Sequence, residues 1–310
     1  MIEFERVCKR FGDFVAVDDL SLRLADGEFT VLIGQSGSGK STTLKMINRL
    51  VPHDSGRILF AGKEINGFRE EDLRRRMGYA IQSIGLFPHW TVARNIATVP
   101  ALLKWPKARI TSRVEELLQL LGLDPAGFAH RYPHQLSGGQ QQRVGVARAL
   151  AADPEVLLMD EPFGALDPVT RSALQAEIAR IHQVSGKAIV LVTHDIDEAL
   201  LLADRIVMLD QGRVVQDGTP RQILLEPASD SVTRFVGRSE VGLKLLGLDQ
   251  VHSRMRAPIS ASAEGISRSA TLREALSALI ASHAEQLPVL DEHGQTVGSI
   301  HVADLLDVTR

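Results

Sequence analysis

The fold of this protein is decided by residues 29–42, which read FTVLIGQSGSGKST. The apolar run Phe29–Ile33 predicts a buried strand, because short continuous apolar runs are typical of strands that are covered on both faces. A glycine-rich segment follows, and residues 41–50 then have the apolar spacing of a helix. The stretch therefore predicts a strand, a tight turn and a helix in direct succession, which is a building unit of α/β folds.

The turn has the composition of a phosphate-binding loop. Gly34, Gly39, Lys40 and Ser41 have the spacing G-x4-G-K-S between a strand and a helix. Glycines allow consecutive N–H groups to point inward at phosphate oxygens, and the helix N-terminus adds a partial positive charge. Lys40 is then placed to reach the outer phosphates and Ser41 to bind Mg²⁺. A plain Gly/Ser-rich surface turn is the competing interpretation, and the full spacing disfavours it.

Polar side chains follow two later apolar runs. Asp160 and Glu161 come directly after the run that ends at Met159, and His194 follows the run 188–193. Ligands bind beyond the carboxyl ends of strands in open parallel sheets. We expect Asp160 to hold Mg²⁺ and Glu161 to orient and activate an attacking water. The competing interpretations are a helix-capping pair of carboxylates and a structural histidine.

Two further features have weaker signals. The segment Ser137-Gly138-Gly139 precedes an amphipathic helix-like run, so it predicts a second helix N-terminus that can face an anion. Phe11 lies just before the second predicted strand, where it either stacks on a base or belongs to the core. The core position is the expectation for Phe11 from the residues alone.

Composition excludes several classes of protein. The chain of 310 residues is long enough for two domains, and its net charge of −3 gives no general field for nucleic acid. One cysteine, Cys8, excludes an intramolecular disulfide and predicts a reducing compartment. No apolar run approaches the about 20 residues needed to span a bilayer, and the N-terminus has no signal-peptide pattern.

Taken together, these stretches resemble the ATP-binding-cassette (ABC) ATPases over about residues 1–235. The matching motifs are Walker A (Gly34–Thr42), the loop glutamine (Gln82), the signature (Leu136–Gln140), Walker B (Val156–Asp160), the D-loop (Ala165–Asp167) and the switch histidine (His194). The sequence departs from the family at Phe11, where many members have a tyrosine that stacks on adenine. Phenylalanine keeps the π-face, so stacking remains an expectation.

The resemblance implies that the chain hydrolyses ATP with Mg²⁺, with Glu161 and His194 as catalytic residues. The residues that it assigns to the nucleotide are Phe11, Val17, Gly34, Ser36, Gly37, Gly39, Lys40, Ser41, Thr42, Gln82, Ser137, Gly138, Gly139, Gln140 and Asp160. Those that it assigns to Mg²⁺ are Ser41, Gln82 and Asp160.

The resemblance also implies partners. Two copies form a head-to-tail homodimer in which Walker A of one subunit and the signature of the other enclose each ATP. Transmembrane permease subunits contact the segment from Gln82 to Trp90, and a substrate-binding protein acts indirectly. The chain is then peripheral, on the cytoplasmic face of the cell membrane, and binds no nucleic acid.

Within the family, the chain looks closest to importer ATPases for quaternary-amine osmoprotectants such as glycine betaine, choline or carnitine. The features are SIGLFPH after the loop glutamine, MINRL after Walker A, and a C-terminal segment similar to one cystathionine-β-synthase (CBS) repeat. The expected division is an ABC ATPase domain (1–236), a linker (237–254) and a CBS-like repeat (255–310). Such repeats usually pair, so we expect this one to dimerise across subunits. Some paired repeats bind adenine nucleotides or sense ionic strength, and the single copy disfavours that alternative here.

The implied fold class is therefore α/β. It consists of a P-loop NTPase domain with a mostly parallel core sheet, an N-terminal antiparallel β subdomain and a helical subdomain, followed by a small α+β unit. Two other functions stay open at this point: an importer ATPase for amino acids or another small solute, and a soluble ABC ATPase that acts on nucleic acid or ribosomes. The single cassette and the mild acidity disfavour the second. A purely regulatory nucleotide-binding module is disfavoured by Glu161 and His194.

Overall fold

The structure is a computed structural model that describes residues 1–81, 85–164, 166–258 and 265–305. The chain forms two compact units, Met1–Asp217 and Gly218–Arg310. This structural division comes earlier than the boundary at 236 expected from the sequence, because the helices that follow Gly218 group with the C-terminal unit. The predicted linker contains a helix, Val241–Leu248.

The first unit alternates strands and helices. Its strands are β1 (Ile2–Phe11), β2 (Phe14–Leu24), β3 (Phe29–Ile33), β4 (Ser55–Phe60), β5 (Lys63–Glu64), β6 (Met77–Ala80), β7 (Val156–Asp160), β8 (Ala188–Val192), β9 (Arg205–Asp210) and β10 (Arg213–Gly218). Its helices are α1 (Lys40–Ile47), α2 (Glu70–Arg75), α3 (Val92–Ile96), α4 (Thr98–Leu102), α5 (Lys107–Leu120), α6 (Pro125–Phe128), α7 (Gly138–Leu150), α8 (Pro168–Ser185) and α9 (Ile196–Leu202).

A six-stranded sheet in the order β10-β9-β3-β8-β7-β6 forms the centre of this unit. The pairs β3–β8, β3–β9, β7–β8 and β6–β7 are parallel, which confirms the predicted mostly parallel sheet. Every residue of β3, β7 and β8 is buried, as continuous apolar strands of a covered parallel sheet should be. Register places both Leu32 and Asp160 opposite Val192, so the segments after β3, β7 and β8 begin at one edge of the sheet.

The predicted antiparallel and helical parts are also present. A second sheet has the order β2-β1-β4-β5, and all of its pairs are antiparallel. Helices α3 to α7 occupy residues 92–150 between the two sheet segments β6 and β7. Cys8 lies on β1 and is half-buried.

The second unit is small and has its own core. Its helices are α10 (Pro220–Leu225), α11 (Asp230–Val236), α12 (Val241–Leu248), α13 (Leu272–Ala281) and α14 (Val302–Leu305). Its strands β11 (Ile266–Ser267), β12 (Gln286–Leu290) and β13 (Thr296–His301) form a three-stranded sheet in that order. Val251, Leu272, Val289 and Ile300 are fully buried in its core. Thr271 caps α13 in a capping box with Glu274, which satisfies N–H groups at the start of this helix.

Among the helices that the structure describes, none is both long enough and apolar enough to cross a bilayer.

Candidate nucleotide site

The glycine-rich loop needs glycine for two separate reasons. Gly34 has φ 145° and Gly39 has φ 100°, which are backbone conformations that other L-residues rarely adopt. A Cβ atom on Gly34 would lie 2.1 Å from the carbonyl oxygen of Leu209, and one on Gly39 would lie 2.3 Å from that of Ala16. The loop therefore depends on glycine both for its turn and for its packing against the chain behind it.

The side chain of Lys40 lies inside this loop. Its Nζ donates hydrogen bonds to the carbonyl oxygens of Gly34 at 2.8 Å and Gln35 at 2.7 Å. Burial lowers the pKa of Lys40 from its ordinary value, and the carboxylates of Glu161 and Asp160 oppose that shift. The ammonium group is therefore held beside the carboxylates by acceptors that an incoming phosphate can replace.

Ser41 and Asp160 meet next to the loop. The hydroxyl of Ser41 donates to Oδ1 of Asp160 at 2.7 Å, and Nζ of Lys45 lies 3.6 Å from Oδ2. Asp160 is only 4 % exposed, and a buried carboxylate needs a cation or donors to offset its lost hydration. These oxygens fit Mg²⁺, which in nucleotide sites is held by one or two carboxylates together with substrate phosphates and waters.

The hydroxyl of Tyr79 gives a second reason to expect a polar ligand here. It is buried, and within the described part of the chain it makes no hydrogen bond of normal geometry, although the carboxylate of Asp160 is within reach. Burial raises the pKa of Tyr79, and the charge of Asp160 raises it further, so the two groups are close. Buried hydroxyls are normally paired, and a hydrated ion or a phosphate at Asp160 would supply the missing partner.

The two predicted catalytic residues are also brought together. Nδ1 of His194 lies 3.5 Å from Oε2 of Glu161. The His194 side chain is 63 % exposed and that of Glu161 is 23 % exposed, so the pair faces an open surface. Glu161 has φ 45°, a strained conformation for a non-glycine residue that costs roughly 1–3 kcal/mol and is typical of functional sites.

The signature residues begin a different helix. Ser137 is the N-cap of α7: its hydroxyl accepts a hydrogen bond from the N–H of Gln140 at 3.3 Å. Oε1 of Gln140 in turn accepts from the N–H of Ser137 at 3.0 Å. Gly139 packs so closely on α8 that an added Cβ would lie 2.0 Å from Cγ2 of Thr170. The predicted second helix N-terminus is therefore present, with its own side chains as caps.

The remaining predicted site residues have mixed outcomes. Phe11 is 50 % exposed, so the expectation of a core position is wrong. Val17 is 1 % exposed within the hydrophobic core, which makes it the least supported of the predicted nucleotide contacts. Ser36 and Gly37 are exposed in the loop, and Thr42 is half-buried on α1. Gln82 and the D-loop residue Ala165 lie outside the described residues.

Lys45 and Tyr79 belong to this site but were not predicted from the sequence. Lys45 lies four residues after Ser41 on α1, on the same face of the helix, so helical spacing contained a usable signal. Tyr79 lies on β6, which pairs with β7 in parallel. Nothing in the local sequence shows which strand lies beside β7, so only the sheet order reveals Tyr79.

Comparison with known proteins agrees with this geometry. The pattern of the family described as "ABC transporter" matches residues 17–164, and that of the "CBS domain" matches residues 258–310. The chain is 62 % identical over 306 residues to the glycine betaine uptake system ATP-binding protein YehX of Escherichia coli. The aligned residues cover 99 % of each chain. It is 46 % identical to the glycine betaine/carnitine/choline transport ATP-binding protein OpuCA of Bacillus subtilis, over 100 % of this chain and 80 % of that protein.

Solved structures give the same result. The ATP-binding cassette MJ0796, in a dimeric post-hydrolysis state bound to ADP and Pi, superimposes with a TM-score of 0.64 at 33 % identity. The match covers 71 % of this chain and 99 % of that one. The predicted α/β fold of an ABC ATPase is thereby confirmed. With its phosphate loop, its carboxylates and its full-length relatives, the chain belongs to the ABC transporter family as one of its ATP-binding, ATP-hydrolysing subunits.

Proposed function

We propose that this chain drives the uptake of quaternary-amine osmoprotectants, such as glycine betaine, choline or carnitine, through a separate permease. The observation that carries the proposal is the 62 % identity, over 99 % of both chains, to a protein named for glycine betaine uptake. The relatives named for choline or carnitine transport also match the whole chain, C-terminal unit included. The sulfate/thiosulfate importer ATPase of Nocardia farcinica matches only 76 % of it.

The chemistry follows from the groups at the sheet edge. Lys40 exchanges its loop carbonyls for the outer phosphates of ATP, and this charge-assisted contact orients the nucleotide. Ser41 and Asp160 would hold Mg²⁺, which offsets charge on the phosphates. Glu161 accepts the proton of the attacking water as general base. His194, beside Glu161, holds that carboxylate and the terminal phosphate in position for the reaction.

The site is completed by a second copy of the chain. In the proposed head-to-tail homodimer, Ser137, Gly138, Gly139 and Gln140 of one subunit face the phosphates that the loop of the other subunit binds. A helix N-terminus is suited to this role because its N–H groups and dipole favour anions. The arrangement accounts for two glycine-bearing helix starts in one chain.

We place the permease contact near residues 82–90. Phe87 is 39 % exposed, and its ring lies 4.4 Å from that of Trp90. The guanidinium of Arg94 stacks on Trp90 at 4.3 Å. An aromatic cluster beside a cation is a common composition for protein interfaces. Through this contact the chain is peripheral, on the cytoplasmic face of the membrane.

The C-terminal unit is proposed to pair across the two subunits. The functional division that we propose remains residues 1–236 for ATP hydrolysis, 237–254 as a linker and 255–310 as the CBS-like repeat. The described part of this unit has three strands and a small core, and such a unit gains stability from pairing.

The test is uptake by cells at high external salt. Cells that lack this chain should lose ATP-driven uptake of labelled glycine betaine, choline or carnitine, and the wild-type chain should restore it. The matched control is Glu161→Gln, which should be produced at the same level but should not restore uptake. If uptake of labelled amino acids is lost and that of quaternary amines is unchanged, the substrate assignment is wrong.

A further inference from the structure

A buried carboxylate that the nucleotide chemistry does not use lies on the helix after His194. Glu198 on α9 is 6 % exposed, although glutamate is rarely this buried without a partner. Burial raises its pKa from the ordinary value, and the nearby groups Arg171, Asp195 and His194 act on it electrostatically. The structure therefore maintains a costly buried acid within one helical turn of the switch histidine.

The carboxylate is connected to the backbone on both sides of His194. The hydroxyl of Thr193 donates to Oε2 of Glu198 at 2.6 Å, in a buried hydrogen bond. The same hydroxyl oxygen accepts the N–H of Asp195 at 3.1 Å. Asp195 then caps α9 through its own carboxylate. His194 lies between the two residues that this chain of bonds fixes.

A guanidinium whose charge acts on Glu198 contacts the turn after Glu161. Arg171 on α8 lies close enough to Glu198 to act on its charge, and its Nη2 donates to the carbonyl oxygen of Leu166 at 3.2 Å. Leu166 belongs to the turn between β7 and α8, which also follows the catalytic carboxylate. The buried acid is thus bonded to the histidine loop through Thr193, and it lies in the electrostatic field of an arginine that contacts the adjacent turn.

We propose that Glu198 is a positioning residue for hydrolysis, which acts through Thr193 to hold His194 against Glu161. The inference rests on the proposed role of His194. The His194 ring is itself 63 % exposed and is separated from Oε2 of Glu161 by 3.5 Å, so few contacts of its own fix it. Its placement therefore depends on the backbone at residues 193 and 195, which the Glu198–Thr193 bond holds.

The first test separates binding from turnover. Glu198→Gln keeps the shape of the side chain but alters its hydrogen bonding, and Thr193→Val removes the bridging hydroxyl. Each change should lower kcat on the order of 10- to 100-fold, as small misplacements in active sites do. The affinity for a non-hydrolysable ATP analogue should be unchanged, because the phosphate loop is intact. Thr193→Ser should restore kcat, and Asp197→Asn on the same turn of α9 is the matched control, with kcat unchanged.

The second test asks whether the effect passes through His194. In the His194→Ala background, Glu198→Gln should cause no further loss of kcat, because residues that act as a unit are not additive. If the kcat losses of His194→Ala and Glu198→Gln multiply in the double variant, Glu198 has a general structural role and the proposal is overturned. The proposal is also overturned if both Glu198→Gln and Thr193→Val have the kcat of the wild type.

A separate outcome identifies failure of the proposed function. If His194→Ala retains full kcat, then His194 has no part in hydrolysis, and both the proposed role of His194 and this inference are wrong. If His194→Ala is inactive but Glu198→Gln and Thr193→Val are both fully active, only this inference is wrong. Should Glu198→Gln not fold, the comparison of Thr193→Val with Thr193→Ser decides the question.

Discussion

The N-termini of α1 and α7 have similar glycine-rich sequences but opposite local arrangements. Helix α1 begins after Gly39 in a left-handed conformation, and no side chain caps it. Helix α7 begins after Ser137, whose hydroxyl accepts the N–H of Gln140 while the Gln140 side chain accepts the N–H of Ser137. Uncapped N–H groups need a partner from elsewhere, whereas a capping box provides one locally.

The difference indicates two kinds of phosphate contact. The loop before α1 has the composition of an anion site within one chain, and the ammonium of Lys40 lies in it. At the start of α7 a phosphate competes with the cap that Ser137 provides, and losing that cap costs roughly 1 kcal/mol. We therefore expect the first contact to set ATP affinity in the single chain, and the second to contribute only when two chains meet.

The largest effect should come from a change that leaves both helix starts intact. Glu161→Gln removes the proposed general base, and turnover should fall on the order of 10²- to 10⁴-fold. Binding of ATP should persist, so a closed dimer should accumulate on gel filtration with ATP. Glu177→Gln on α8 is the control and should hydrolyse ATP normally. Unchanged turnover in Glu161→Gln would remove Glu161 from the catalytic role.

Lys40→Ala tests the first helix start. It removes the cation that the loop holds, and a hydrogen bond to a charged group is worth roughly 1.5–3 kcal/mol, or about 10- to 100-fold in affinity. The affinity of the single chain for ATP should fall by that factor, as measured by calorimetry with a non-hydrolysable analogue. Equal affinity in wild type and variant would contradict the assignment of the loop to phosphate.

Ser137→Ala tests the second helix start. The change should leave the ATP affinity of the single chain unchanged, while ATP-dependent dimerisation and turnover fall about tenfold. The lost cap should also lower the free energy of unfolding by about 1 kcal/mol. Sedimentation with ATP measures the first effect and thermal unfolding the second. If single-chain ATP affinity fell as it does in Lys40→Ala, the distinction between the two helix starts would be wrong.

Phe11→Ala should give the smallest effect. Loss of one stacking ring is worth roughly 0.5–1.5 kcal/mol, so ATP affinity should fall about 2- to 10-fold. Discrimination between ATP and a triphosphate without a base should shrink by the same factor. Phe14, whose ring is 55 % exposed at the same hairpin, is the control. If Phe14→Ala and not Phe11→Ala gave this result, stacking would belong to Phe14.

Site residues could be predicted from local sequence where the chemistry and the backbone geometry both require particular residue types. Gly34, Gly39, Lys40 and Ser41 could be assigned because a turn of this kind requires glycine and a phosphate requires donors at the helix start. The strands β3, β7 and β8 were recognisable because strands buried on both faces are apolar throughout. Phe11 was placed wrongly, because an aromatic beside a strand has the same local pattern whether it is buried or exposed.

The sequence by itself determined the α/β class, the loop that binds phosphate and the identity of the polar groups at the strand ends. Only the tertiary structure decided which strands are neighbours. That order brings Asp160 to Ser41 and Glu161 to His194, and it places Tyr79 beside Asp160. Strand order depends on packing between residues that are far apart in the chain, and local periodicity contains no information about those contacts.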